Sequence, residues 1–161
     1  MTTPTPLPLV DEHAVDVDAA ADRVWTALGA ALDGAFGGGL SSAYARLVGC
    51  DPATTSGPRP LAVGSTVPGF RVRSVVPGRE LVLEGRHRFS DYLLTFRLDD
   101  LPDLDPARTR LRAESRAAFP GLGGAGYRAL VIGTRLHVVG VRRLLAGVRR
   151  AAAAASDEVR P

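Results

Sequence analysis

Between Thr109 and Phe119 the chain alternates strictly, with Leu111, Ala113, Ser115 and Ala117 on one side and Arg110, Arg112, Glu114 and Arg116 on the other. A two-residue period of this kind marks a β-strand with one buried face. The strand runs through Pro120-Gly121 into a helical pattern from about Gly123 to Ala155. There Tyr127, Leu130, Val131, Thr134, His137, Val138, Val141, Leu144, Leu145 and Val148 share one arc, and Arg128, Arg135, Arg142 and Arg149 lie opposite. Such a stripe buries one helix face against another element. The strand-then-helix order therefore predicts one long C-terminal helix laid on a sheet.

Upstream runs supply the rest of that sheet. Leu9 to Val17 alternates, with His13, Val15 and Val17 on one face and Glu12, Ala14 and Asp16 on the other. Asp18 is placed to cap a helix over Ala19–Leu32, where Val24, Trp25, Leu28, Ala31 and Leu32 recur at helical spacing. Gly34, Gly37, Gly38 and Gly39 end that helix or break a short second one. Ser42–Gly49 fits either strand or helix and reads as strand. The Pro/Ser/Thr-rich stretch Asp51–Pro60 reads as loop. Ser65–Val76, Glu80–Gly85 and Phe89–Asp99 read as strands, with a Pro77-Gly78 turn between the first two and Tyr92, Leu94, Phe96 and Leu98 on one face of the third. The expected class is α+β: a curved antiparallel sheet wrapped around a long C-terminal helix. Residues 9–155 form one domain, with flexible tails at 1–8 and 156–161.

Composition excludes several functions. A chain of 161 residues is long enough for one unaided core. The single Cys50 rules out an intramolecular disulfide and a Cys-rich metal site. The three histidines, His13, His87 and His137, are too far apart in sequence for a metal motif, so no metal and no cofactor is expected. No serine elbow, paired carboxylates or phosphate loop is present. All 20 basic residues are arginine, which codon bias in a GC-rich genome, such as an actinobacterial one, explains. The pI of about 9.7 accompanies a net charge of only +3. The arginine strip on Arg110, Arg112 and Arg116 lacks interleaved aromatics and reads as a solvated face, without nucleic acid as partner. The start lacks the basic and apolar regions of a signal peptide, and Ala129–Val141 is too short to span a bilayer. The expectation is a cytoplasmic protein without membrane insertion, monomeric or homodimeric through Ile132 and Val139.

Three stretches resemble one superfamily. "AVDVDAAADRVWTAL" (Ala14–Leu28) resembles its first strand and Val-Trp helix, "VGSTVPGFRVRSVVPGRELVLEG" (Val63–Gly85) its middle hairpins, and "AESRAAFPGLGGAGYRALVIGTRLHVVGVRRLL" (Ala113–Leu145) its last strand and gripping helix. This is the SRPBCC superfamily of START-like lipid-transfer domains and polyketide cyclase/dehydrase-like proteins. The chain shows six strands, one fewer than the family usually has, and the difference falls in Phe36–Val63. The resemblance implies a helix-grip fold with a deep apolar cavity for a hydrophobic small molecule.

The residues expected to face such a ligand are His13, Phe70, Tyr92, Phe96, Tyr127, Val131, Thr134, His137 and Val138. The first reading is a binding module for a lipid, polyketide or isoprenoid-like molecule. The second is a cyclase or dehydratase with His137 or His13 as acid/base and Tyr92 as proton donor. The third is a structural or interaction protein whose Ala-rich interior has collapsed. Gly126, Gly133, Gly140 and Gly147 recur every seven residues along the last helix. They signal compositional bias, close backbone approach, or open space beside the apolar stripe.

Overall fold

A computed structural model describes residues 6–36, 38–101, 107–133 and 135–157. The elements run β1 (Leu9–Val17), α1 (Ala21–Phe36), α2 (Gly39–Leu47), β2 (Thr66–Val67), β3 (Phe70–Val76), β4 (Glu80–His87), β5 (Ser90–Leu101), β6 (Arg108–Ala118), α3 (Gly121–Gly133) and α4 (Leu136–Asp157). The strands form one antiparallel sheet in the order β1-β6-β5-β4-β3-β2. The chain is α+β with a curved open sheet gripped by a C-terminal helix, as the alternating strands and the amphipathic stripe predicted.

Alternation decides what each strand buries. Along β6, Leu111 and Ala113 are fully buried and Ser115 nearly so. Their partners on β5 are Leu98, Phe96 and Leu94. Helix α1 lays Val24, Ala27, Leu28 and Leu32 on this face, and α4 adds Val141, Leu145, Val148 and Ala152, each set at helical spacing. The outward arginines pair with carboxylates: Arg110 with Asp16 at 2.7 Å, Arg112 with Asp99 at 2.8 Å, and Arg97 with Glu80 at 2.9 Å.

Several expectations are corrected. The C-terminal helix is two helices, because Arg135 sits in the left-handed region at φ 56° and α4 starts afresh with Val139 N–H donating to Arg135 O at 3.0 Å. Ser42–Gly49 is helical as part of α2, not a strand. Gly49 (φ 73°) ends it, with Cys50 N–H reaching back to Ala45 O at 2.7 Å, a Schellman closure. The strand count of six holds for another reason: β2 is a separate pair of residues antiparallel to β3. Asp18 does not cap α1. Its carboxylate binds Arg108 at 2.6 Å, and the Ala20 carbonyl accepts the first helical N–H groups. The glycine heptad does not mark close approach, since a Cβ on Gly126, Gly133, Gly140 or Gly147 would meet nothing within 4 Å.

Candidate ligand cavity

The broken C-terminal helix leaves a cavity of about 510 Å³ over the end of the sheet where β4 and β6 finish. Its floor is Tyr92 and Leu94 of β5 with Ser115 and Ala117 of β6. Its sides are Phe36 of α1, Tyr44, Ala45 and Val48 at α2, Tyr127 of α3, and His137, Gly140, Val141 and Leu144 of α4. Small residues keep it open: Ala117 and Gly140 present no side chain that could fill it.

One wall is a chain of ring contacts, edge-to-face except for the tilted His87–Tyr92 pair. Phe36 meets Phe70 at 5.3 Å between centroids, Phe70 meets Tyr92 at 5.2 Å, His87 lies 5.4 Å from Tyr92, and His87 stands 4.6 Å from Tyr127. Phe89 stacks on Tyr127 at 5.6 Å. Edge-to-face contacts at these distances suit the ring quadrupoles and hold each ring in place.

The polar groups on this wall are largely spent within the protein. Tyr92 donates its hydroxyl proton to the Gly69 carbonyl at 2.8 Å. The Cys50 thiol, 3.8 Å from the same oxygen, is therefore the donor in that contact. Burial pushes the Tyr92 hydroxyl far above its ordinary value of 10.0, and Tyr127 is raised likewise by burial and by Tyr44. Burial also raises the Cys50 thiol. His87 accepts the Phe89 N–H on Nδ1 at 3.1 Å, and burial lowers its pKa below 6.5. The ring is thus neutral near pH 7, with its proton on Nε2.

A polar cluster stands at the opposite end. His137 Nε2 lies 2.9 Å from Ser115 Oγ and 3.5 Å from Asp11 Oδ1. The other oxygen of Asp11 lies 3.4 Å from His13 Nε2. A bulge between Leu9 and Asp11 breaks the β1–β6 register, so that Val10 lines the cavity while the next residue, Asp11, reaches His137. Ser115, His137 and Asp11 have the composition of a catalytic triad without its geometry. Serine and carboxylate approach the same ring nitrogen, whereas a triad places them on opposite ones.

Of the residues expected to face a ligand, Phe70, Tyr92, Tyr127 and His137 line the cavity. His13 does not; it lines a groove on the other side of α4, with Arg142 and Arg149. Phe96 is 0% exposed and belongs to the core, because it lies further along β5 beneath the packed helices. Val138 is half-buried on α4, outside the cavity lining. Val131 lies in α3, and Thr134 falls outside the described residues. Sequence reasoning missed Phe36, Tyr44, Cys50, His87 and Asp11. For His87 a signal existed, since the Glu80–Gly85 period extends by one step onto it. Among the described residues no group of three or more His, Cys, Asp or Glu side chains could hold a metal ion. No described helix is long and apolar enough to cross a membrane.

No family model and no curated protein matches this chain. Solved structures do. A protein from Nitrosospira multiformis superposes with a TM-score of 0.53 at 16% identity, over 89% of this chain and 94% of that one. A protein from Mesorhizobium loti gives 0.52 at 13% identity, over 94% and 100%. The di-domain ARO/CYC StfQ from the steffimycin biosynthetic pathway gives 0.57 at 13% identity, over 91% of this chain and 51% of that one. The chain has the helix-grip fold. At such identities the likeness extends to the fold alone, and the helix-grip architecture hosts more than one activity.

Proposed function

We propose that this helix-grip protein binds an apolar small molecule, of lipid, polyketide or isoprenoid kind, between its sheet and its C-terminal helices. The observation that carries the reading is the cavity of about 510 Å³ walled by interlocked rings, with the Tyr92 hydroxyl already committed to the Gly69 carbonyl. Ligand sites of roughly 300–1,000 Å³ with apolar walls and a few polar groups are the common case. Binding rests on apolar burial at about 25 cal/mol per Å², less the cost of ordering the ligand. Native mass spectrometry of the protein isolated from its own host tests this. A co-purifying apolar molecule is expected, and it should be absent from Ala117→Trp, whose indole would fill the floor. A wild-type protein that carries nothing and binds no apolar fluorophore would refute the reading.

A second reading is an enzyme of cyclase or dehydratase type. It is favoured by one contact, His137 Nε2 to Ser115 Oγ on the cavity wall, and by the likeness to the fold of an ARO/CYC protein. His137→Gln separates the two. A carrier keeps most of its affinity, whereas an enzyme loses about 10²–10⁴-fold in turnover with its acid/base.

A further inference from the structure

Among the described residues, two buried side-chain polar atoms have no hydrogen-bond partner: Asp11 Oδ1 and His13 Nε2. Orphaned groups of this kind are rare in folded proteins and mark places where something other than stability has set the arrangement. They lie side by side, and the rest of the cluster shows a direction. Ser115 and His137 border the cavity, and His13 borders the outer groove of about 330 Å³ beside Arg142 and Arg149. Asp11 stands between, one oxygen towards each imidazole.

We propose that Ser115, His137, Asp11 and His13 form a proton path from the cavity to the groove outside α4, serving an apolar ligand with a dissociable hydroxyl such as a phenol or enol. This rests on the ligand-binding reading of the cavity. His137 Nε2 faces a hydroxyl, able to donate, on the cavity side and a carboxylate, able to accept, on the inner side. That is the asymmetry a relay needs.

The transfers balance. The ligand hydroxyl gives its proton to Ser115 Oγ while the serine gives its own to His137 Nε2, leaving a ligand oxyanion and an imidazolium. The Nε2 proton passes to Asp11 Oδ1. Rotation about the Asp11 Cβ–Cγ bond presents it to His13 Nε2, and His13 releases a proton from Nδ1 to the groove. Ser115, His137 and Asp11 recover their starting protonation, His13 is left as its Nε2–H tautomer until its ring exchanges protons with solvent at the groove, and the net change is one proton moved from ligand to solvent, reversibly. The separations of 3.4 and 3.5 Å must each close by about 0.5 Å to become hydrogen bonds. A side-chain rotation supplies that much. The charged groups facing the row are Arg116 at the cavity end, held by Glu114, and Arg142 and Arg149 at the groove end.

The test uses two probes, 2-naphthol, which becomes a strong acid when excited, and 2-methoxynaphthalene, which has no proton to give. Both should bind the wild type, and bound 2-naphthol should emit as naphtholate. Asp11→Asn, outside the cavity lining, should lose that emission while keeping affinity for 2-methoxynaphthalene, and His137→Phe should lose it at saturating 2-naphthol. Naphtholate emission that persists in both variants overturns the proton path and leaves ligand binding standing. Failure of 2-methoxynaphthalene to bind the wild type overturns the ligand-binding reading, and the path with it.

Discussion

The ring of Tyr92 lies across Gly85. The two residues are cross-strand partners, and a Cβ on Gly85 would stand 2.7 Å from Tyr92 Cζ and run into the Gly69 carbonyl. The absence of a side chain at Gly85 is what lets the Tyr92 hydroxyl reach Gly69 and close that end of the cavity. Gly85→Ala should therefore destabilise the fold by about 1–3 kcal/mol, the usual cost of overpacking. Urea unfolding measures the loss. A variant as stable as wild type would mean that ring and carbonyl separate without cost.

Tyr92 and Tyr127 make stability depend on alkaline pH. Both phenols keep their protons in the fold above the value of 10.0 at which an unfolded chain releases them. Their contribution is whole below pH 10.0 and declines as pH climbs beyond it, because the unfolded state then binds fewer protons. Unfolding midpoints at about pH 8 and about pH 11 should differ, and Tyr92→Phe should narrow the difference. The variant also leaves the Gly69 carbonyl without its donor, at a cost of about 1–3 kcal/mol at neutral pH.

His87 acts at the acidic end. Its pKa is lowered from 6.5 by burial, so below that value the unfolded chain takes up a proton that the folded one resists. Stability is whole above pH 6.5 and erodes as pH falls. His87→Phe should flatten the acid limb of a stability–pH curve, with the ring contacts to Tyr92 and Tyr127 retained. An unchanged limb would assign acid sensitivity to other groups.

Gly147 lies in the middle of α4, where a Cβ would meet nothing within 4 Å. Gly147→Ala should raise stability by about 0.5–1 kcal/mol through helix propensity alone. Thermal unfolding measures the gain. Because Gly147 does not border the cavity, affinity for an apolar fluorophore should stay the same.

Phe96→Ala tests the division between core and cavity. The side chain is wholly buried in the core, on a residue paired with Leu81 and Ala113 of the neighbouring strands, and its loss should cost about 3–5 kcal/mol. Phe70→Leu, by contrast, trims the cavity wall and should change ligand affinity more than stability. Both quantities follow from denaturant titrations with and without an apolar fluorophore.

Much of this architecture was legible from the amino acids alone. Alternation at Leu111, Ala113 and Ser115 and helical spacing at Val141, Leu145 and Val148 name their own buried faces, because period and side-chain direction are local geometry. The same logic placed Tyr92, Tyr127, Phe70 and His137 on inward faces. An inward face does not say whether a side chain meets packed atoms or open space. Phe96 and Tyr92 share one face of β5, yet one is core and the other cavity. The difference lies in which stretch of the sheet the helices cover. The turn at Arg135, the bulge that lets Asp11 reach His137, and the meeting of His87 with Tyr127 all depend on contacts between residues distant in the chain. Those contacts carry no period, so only the tertiary fold could decide them.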